Sequence, residues 1–248
     1  MKILVCISSV PDTTSKINFT ADKSAFDKNG IQWVINPLDE FALTKAIKLQ
    51  ESQGATVTVL NVGDAGTEAV IRKALAIGAN DAVRVNAEAK DSFSVAKEIA
   101  KVAQDGGYDL ILTGKESIDY NGGAVPGMVA QLLNIPFVNA SVGLDVNGSE
   151  ATVVREIEGG KETISVKLPA VVAGQKGLVD EKDLIIPNMR GIMSARTKPL
   201  QVVEPSNSEV KVEAVSFDSV APRAAVKLVS ADNLDELVRL LHEEAKVI

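Results

Sequence analysis

Short, unbroken apolar runs alternate with helix-like segments along the first half of the chain. The runs cover residues 3–7, 56–62, 82–85 and 109–113. Continuous apolarity over a few residues is typical of strands buried on both faces. The segments with apolar residues every three or four positions cover residues 36–54, 67–77 and 92–104. The alternation predicts a Rossmann-like α/β fold, with helices flanking a parallel sheet and right-handed crossovers.

The start of the first helix carries a full set of local signals. Asn36 is a suitable N-cap, Pro37 occupies the first helical position, and Asp39 stands three residues after the cap. Such an acid often completes a capping box, and proline at this position has a favourable backbone angle. The pattern predicts a helix that ends at Gly54.

The second half of the chain has a different pattern. Residues 152–157 and 163–168 flank a glycine turn and predict an antiparallel hairpin, after which residues 170–173 return to the sheet. Residues 174–230 show no sustained period, but they contain many apolar residues, which favours docking on another chain over disorder. Residues 232–245 predict a capped amphipathic helix. We divide the chain by role into an α/β domain (1–180), an extended arm (181–229) and a C-terminal helix (230–248).

Composition and charge exclude several classes of protein. The chain has 248 residues, of which 46% are hydrophobic and 24% charged, with a net charge of −7. The excess of acid argues against a nucleic acid or an anionic membrane as the main partner. With one cysteine and one histidine, neither an internal disulfide nor a Cys/His zinc cage can form. No run approaches the ~20 apolar residues of a membrane span, and we expect a cytoplasmic protein.

The glycine-rich segment after the fourth strand is the best candidate for a ligand site. The sequence has neither a Walker A motif nor a Gly-x-Gly-x-x-Gly motif. Residues 114–128 nevertheless predict a strand end, a loop with Gly122-Gly123 and a helix start, an arrangement that can hold a phosphate. An ordinary turn between strand and helix is the competing interpretation.

Few other residues indicate chemistry. Asp12, Asp39, Asp64 and Asp119 follow strands or begin helices, where capping is the favoured role and lining one crevice is the alternative. Cys6 lies within an apolar run, which favours a core position over a pocket lining. The basic residues of the arm form either a solvated patch or a contact that steers an acidic partner. No residue is assigned a catalytic or metal-binding role.

Several segments, in this order and spacing, resemble the beta subunit of electron transfer flavoproteins, and the likeness covers nearly the whole chain. The segments are Val10-Pro11-Asp12-Thr13, Asn36-Pro37-Leu38-Asp39-Glu40-Phe41-Ala42-Leu43, Ala74-Leu75-Ala76-Ile77-Gly78-Ala79-Asn80, Asp109-Leu110-Ile111-Leu112-Thr113-Gly114-Lys115 with Ile118-Asp119, Leu168-Pro169-Ala170-Val171-Val172, and Gly191-Ile192-Met193 with Lys198-Pro199.

The resemblance implies a nucleotide-binding α/β domain that holds AMP, and an alpha subunit that supplies most of the bound FAD. It implies an electron carrier that docks on flavin-dependent dehydrogenases such as acyl-CoA dehydrogenases. Met189 stands at the family's leucine anchor, with Ile192 and Met193 beside it. The implied cofactor-binding residues are Cys6 through its backbone, Asn36, Pro37, Leu38, Asp39, Val62, Gly114, Lys115, Ser117, Asp119, Asn121, Gly122, Gly123, Ala124 and Val125.

The loop at residues 120–127 leaves the ligand and the activity open. It matches neither the Asn-Gln-Thr-Gly loop of AMP-binding family members nor the loop of bifurcating members, which hold a second FAD there. A bifurcating subunit that oxidises NADH is therefore an alternative, and an adenine-nucleotide hydrolase of similar architecture is another. Two further departures are Ser8-Ser9, where the family has a lysine-containing pair, and residues 194–198, where it is lysine-rich.

Overall fold

The structure, a computed structural model, describes residues 1–206, 208–223 and 225–248. The predicted arm includes residues 207 and 224, which lie outside the described residues. Contacts divide the chain into two compact units, one formed by residues 1–17 and 28–215 and the other by residues 18–27 and 216–248. The predicted division into an α/β domain, an arm and a C-terminal helix, at residues 180 and 229, rests on functional role rather than on contacts. It stays a prediction.

The first unit is built on a nine-stranded sheet with the strand order β11-β5-β4-β1-β6-β10-β7-β8-β9. Neighbouring strands from β11 to β7 run parallel, and β7, β8 and β9 pair antiparallel. Strands β2 and β3 form a separate antiparallel pair. The strands are β1 (Lys2–Cys6), β2 (Ser9–Pro11), β3 (Trp33–Ile35), β4 (Thr56–Val62), β5 (Asp81–Val85), β6 (Leu110–Gly114), β7 (Phe137–Asn147), β8 (Glu150–Ile157), β9 (Gly160–Lys167), β10 (Ala170–Gly174) and β11 (Leu200–Val203).

Helices cover both faces of this sheet. The helices of the first unit are α1 (Pro37–Gln53), α2 (Glu68–Ile77), α3 (Ser92–Gly106), α4 (Val125–Leu133) and α5 (Met189–Ala195). Strand β1 shows why its run is apolar throughout: Ile3 and Val5 pack in one cluster with residues of α1 and α2, while Leu4 packs in the other with residues of α3 and α4. Both sets of side chains are removed from water, which stabilises the layered fold.

The second unit is small. Its helix α6 (Leu234–Arg239) continues into a π-helical turn at Leu240–Glu244, so the predicted terminal helix is present but not regular. The rings of Phe19 and Phe217 stack with centroids 5.3 Å apart, and Lys23 forms an ion pair with Asp218. Across the described residues, no helix is long and apolar enough to cross a membrane.

The predicted fold class is confirmed, including the four central strands, the hairpin and the return of residues 170–173 to the sheet, as part of β10. The prediction of no regular element between residues 174 and 230 is wrong, because α5 and β11 lie there. They have seven and four residues, which is too short to give a periodic signal. Strand β7 was missed as well: Ala140 has a positive φ of 53° and the pairing register shifts beside it, so the alternation of buried positions is interrupted.

Candidate functional site

The predicted site residues gather where the strand order reverses. From β1 the chain proceeds through β4 to β5 on one side, whereas β6 lies on the other side of β1. In open α/β sheets, the carboxyl ends of the strands at this point form a crevice that binds ligands. We call the ends of β1 and β6, with residues 36–39 and 115–124, the switch crevice. Val62 ends the adjacent strand β4, two residues beyond Leu60, the partner of Cys6.

Asp39 joins the two strands of the crevice. Its Oδ2 accepts a hydrogen bond from the backbone N–H of Ser8 at 2.8 Å, and its Oδ1 accepts one from the N–H of Gly114 at 2.7 Å. Asp39 is only 4% exposed. A Cβ on Gly114 would lie 2.6 Å from Asp39 Oδ1 and 2.8 Å from the Cβ of Leu38. Glycine is therefore required where β6 approaches the start of α1.

Burial controls the protonation of this part of the crevice. Removal from water raises the pKa of Asp39 to about 7, and the charge of Asp119 adds to the rise, while the N–H groups of Ser8 and Gly114 oppose it. Burial also raises the pKa of the Cys6 thiol, and the nearby Asp39 charge adds to this. Cys6 is 7% exposed and packs in the core. Its thiol is therefore neutral, as the core interpretation requires.

Asn36 holds the loop after β6. Its Nδ2 donates to the carbonyl oxygen of Glu116 at 2.9 Å, and its Oδ1 accepts from the N–H of Ile118 at 3.2 Å. The helix predicted to begin here is confirmed, but the predicted capping role of the Asn36 side chain is wrong. The side chain is engaged 80 residues away along the sequence, so a long-range contact has replaced the local cap.

The loop itself is folded back as a narrow turn. The Ser117 N–H donates to the Gly122 carbonyl oxygen at 3.1 Å, and the Ser117 hydroxyl donates to Asp119 Oδ1 at 2.6 Å. Asn121 adopts a positive φ of 50°, a conformation that asparagine tolerates. Lys115 extends the pairing with β10 through its N–H, which donates to the Gly174 carbonyl oxygen at 2.8 Å.

The turn leads into α4, whose N-terminus receives no side-chain cap from the residues that the structure describes. Ala124 is the N-cap residue, and Val125 and Pro126 begin the helix. The first N–H groups of a helix lack partners within the helix and attract anions. A Cβ on Gly123 would lie 3.1 Å from the Lys115 carbonyl oxygen, so a larger side chain would crowd this end of the loop.

Three of the four acidic residues singled out in the sequence have the expected turn role. The backbone N–H groups of Thr14, Gly66 and Tyr120 donate to the carboxylates of Asp12, Asp64 and Asp119, respectively. Asp39 differs because it joins distant strands. The structure therefore confirms a turn or cap role for three of these residues, of which Asp64 caps a short helix, and brings the fourth to the centre of the crevice.

Two polar residues beside the crevice were missed by sequence reasoning. Asn61 is 3% exposed, and its Nδ2 donates to the Ile7 carbonyl oxygen at 2.9 Å. Arg84 is 6% exposed and donates from Nη1 to the Gly63 carbonyl oxygen at 2.9 Å. Both hold backbone at the carboxyl ends of strands. The available signal is a polar side chain within a run whose pattern predicts a buried strand.

The predicted docking residues lie together on α5. Met189 is 74% exposed, Met193 is 58% exposed and Ile192 is 41% exposed. Ile192 also lines a cleft of about 600 Å³ between α5 and α2, together with Ala76 and Ala195. The two methionines thus face solvent, while Ile192 is shared between solvent and the cleft.

The fold and the switch crevice define a doubly wound α/β protein, and comparison with known proteins identifies its family. The model of the electron transfer flavoprotein domain matches residues 24–208. The electron transfer flavoprotein subunit beta of Bacillus subtilis is 35% identical over the full length of both chains. That of Syntrophomonas wolfei is 34% identical over 91% of this chain and 88% of its own, and the human one is 30% identical over 100% and 99%. The chain belongs to the electron transfer flavoprotein family, and its resemblance to the beta subunits is confirmed.

Proposed function

We propose that this chain is the beta subunit of a heterodimeric electron carrier. It binds AMP in the switch crevice and helps to enclose an FAD held mainly by an alpha subunit. The carrier takes electrons from flavin-dependent dehydrogenases, such as acyl-CoA dehydrogenases, and passes them to an acceptor oxidoreductase. The observation that carries the proposal is the N-terminus of α4 at the switch point, which no described side chain caps, beside the segments that Asp39 joins.

The chemistry of the crevice suits an adenine nucleotide monophosphate. The N-terminal end of α4 carries a partial positive charge and backbone N–H groups that can donate hydrogen bonds to phosphate oxygens. Val62 offers apolar surface at the end of β4, suited to one face of a base, and Cys6 offers its backbone at the end of the neighbouring strand β1. Asn36 fixes the loop that closes over the site through its two bonds to residues 116 and 118. These residues would bind and orient the nucleotide, and we assign no proton transfer to them.

FAD, when bound, supplies the redox chemistry of the carrier. The part of this chain is to enclose the flavin and to present a docking surface. Helix α5 suits docking because Met189 and Met193 are exposed, flexible apolar side chains of the kind that fill irregular pockets on a partner. Their large exposure is the feature that favours a protein contact over a core role. The predicted cytoplasmic location stays a prediction.

Cofactor content tests the proposal. The chain is co-purified with its alpha partner, the complex is denatured, and the released FAD and AMP are quantified per heterodimer. One FAD with one AMP supports the proposal, and a complex without flavin contradicts it.

The variant Gly123→Val tests where the nucleotide lies. Because a Cβ at this position meets the Lys115 carbonyl oxygen at 3.1 Å, a β-branched side chain should distort the loop and release AMP while FAD is kept. Loss of the bound nucleotide also removes its stabilising contribution to the folded state. Gly160→Val is the matched control, since a Cβ there meets nothing within 4 Å. Full AMP occupancy in Gly123→Val would refute the assignment of the site.

One observation favours the bifurcating alternative, in which a second FAD replaces AMP. At Gly122 the nearest atom to an added Cβ is Ser117 Oγ, 3.9 Å away, so the tip of the loop has room to accommodate a larger ligand. Two FAD and no AMP per heterodimer would support it. Direct reduction of the flavin by NADH in the purified complex would be its functional signature, and an unchanged spectrum would exclude it.

A further inference from the structure

Helix α5 is attached to α2 by a reciprocal set of hydrogen bonds. Arg72 of α2 donates from Nη1 to the carbonyl oxygens of Ala195 and Lys198, both at 2.9 Å. Lys198, in turn, donates from Nζ to the carbonyl oxygens of Leu75 at 2.9 Å and Ala79 at 2.6 Å. We call Arg72 and Lys198, with these four carbonyl groups, the α5 clasp. The clasp supplies hydrogen-bond donors to carbonyl groups at the C-terminal ends of both α5 and α2.

The backbones of the two helices also approach closely. A Cβ on Gly191 would lie 2.4 Å from the carbonyl oxygen of Ala76, so only glycine allows this contact. The side chain of Asn188 caps the start of α5 through the N–H of Gly191 at 2.8 Å. Ala195 at the other end is 3% exposed. The inner side of α5 is thus fixed by contacts at its start, its middle and its end.

These contacts compensate for the short length of α5. An isolated helix of seven residues is not stable in water, because the cost of nucleation exceeds what so few hydrogen bonds return. The last carbonyl groups of a helix need partners outside it. Hydrogen bonds from charged donors are stronger than neutral ones, and Arg72 supplies one to the last residue of α5, Ala195, and one to Lys198 just beyond it. The clasp therefore provides order that the sequence of α5 does not provide by itself.

We propose that Arg72 and Lys198 are positioning residues for docking: they hold α5 so that Met189 and Met193 are presented to the dehydrogenase in one orientation. This inference rests on the proposed docking role of α5. Order established before binding lowers the entropy lost on association. Loss of the clasp should therefore weaken docking without changing the flavin or the two methionines.

The test uses the heterodimer as the electron acceptor of a purified acyl-CoA dehydrogenase with its acyl-CoA substrate. Arg72→Gln and Lys198→Gln should each raise the KM of the dehydrogenase for the heterodimer about fivefold, while kcat and FAD content stay at the wild-type values. Arg72→Lys should recover part of the loss, since one ammonium group can still reach a carbonyl oxygen. Hydrogen exchange should become faster at residues 189–198 and stay unchanged at residues 36–39.

Two controls separate positioning from charge. Glu68→Gln removes the ion-pair partner of Arg72, at 3.4 Å, but keeps both carbonyl contacts. Lys73→Gln removes a cation from the same helix that pairs with Glu40 instead. Both should leave KM within about twofold of the wild type, because exposed ion pairs contribute little. A rise in KM in Lys73→Gln equal to that of Arg72→Gln would overturn the inference in favour of simple charge steering. An equal rise in Glu68→Gln would overturn it in favour of the ion pair between Glu68 and Arg72.

A comparison with Met189→Ala distinguishes this inference from the proposed function. If Met189→Ala raises KM but neither Arg72→Gln nor Lys198→Gln does, the clasp does not position α5, and the docking proposal stands. If none of the three raises KM, docking through α5 is wrong and the inference is overturned with it. If KM rises only in the clasp variants, α5 does not dock through its methionines, and the inference is likewise overturned.

Discussion

The switch crevice and helix α5 are built in opposite ways. In the crevice, the backbone N–H groups of Ser8, just after β1, and of Gly114, at the end of β6, converge on the carboxylate of Asp39, which is 4% exposed. On α5, apolar side chains reach outward, and Met189 is 74% exposed. The geometry of the crevice is therefore set by closely packed backbone, and an added Cβ at Gly114 would clash there. The outer surface of α5 is formed by exposed side chains, which can be shortened without disturbing the sheet.

This difference separates the two regions experimentally. Changes in the crevice should lower the stability of the fold together with the occupancy of the proposed nucleotide, because the hydrogen bonds of Asp39 fix the segments proposed to hold it. Changes on the outer side of α5 should alter docking alone. The following variants test that separation, beginning with the largest expected effect.

Gly114→Ala should have the largest effect on stability. The added Cβ would lie 2.6 Å from Asp39 Oδ1, so either the carboxylate or strand β6 has to move. We expect the free energy of unfolding to fall by about 2–3 kcal/mol, which is typical of overpacking at a buried site. Denaturant unfolding measures it, with Gly160→Ala as the control because a Cβ there meets nothing within 4 Å. Wild-type stability in Gly114→Ala would show that the crevice has room for a Cβ at this position.

Asp39→Asn should have the next largest effect. An amide can accept from only one of the two N–H groups of Ser8 and Gly114, and its own NH2 group faces the other. Leaving one buried N–H without a partner should cost about 1–2 kcal/mol in the free energy of unfolding.

The pH dependence of Asp39→Asn provides a second readout. The folded state raises the pKa of Asp39 from 3.8 to about 7, so the folded protein holds this proton more tightly than the unfolded chain. The contribution of the group to stability is then fully present below about pH 4 and is lost as the pH rises through about 7. The stability advantage of wild type over Asp39→Asn should therefore shrink across this range. A constant difference would indicate that the carboxyl group keeps an ordinary pKa in the folded protein.

Met189→Ala should have the smallest effect on the fold. The side chain is largely exposed, so its truncation should leave the free energy of unfolding within about 0.5 kcal/mol of wild type. Docking should weaken by about 1–2 kcal/mol, seen as a roughly tenfold rise in the KM for the heterodimer. Ile157→Ala at the hairpin, also an exposed apolar position at 46%, is the control and should change neither quantity. If the two variants weaken docking equally, apolar surface in general, rather than α5, mediates the contact.

Much of the fold was predictable because its signals are local. A few neighbouring residues are enough to predict the strand at residues 3–7 and the helix that begins at Pro37. The apolar residues of the strand are buried in the sheet, as their pattern predicts. The positions of Cys6, Val62 and Gly114 at strand ends followed from the same reasoning. The sequence alone therefore predicts where the crevice lies.

The contacts that shape the site could not be predicted in this way. Asn36 carries every local mark of a helix cap, yet its side chain holds a loop 80 residues later. The bond between Arg72 and the Lys198 carbonyl oxygen spans 126 residues, and neither residue has an unusual neighbourhood in the sequence. Such pairs depend on the tertiary fold, which overrides local preference when the alternative partner lies in a better position.

The pairing of β11 with β5 has a consequence for synthesis and quality control. Strand β11 covers one edge of the sheet, with Leu200 opposite Ala82 and Val203 opposite Val85. Because the chain is made from its N-terminus, the edge of β5 has no covering strand until residues 200–203 have left the ribosome. An uncovered edge can recruit a strand from another nascent chain. Termination before residue 200 should therefore yield fragments with an uncovered sheet edge that aggregate.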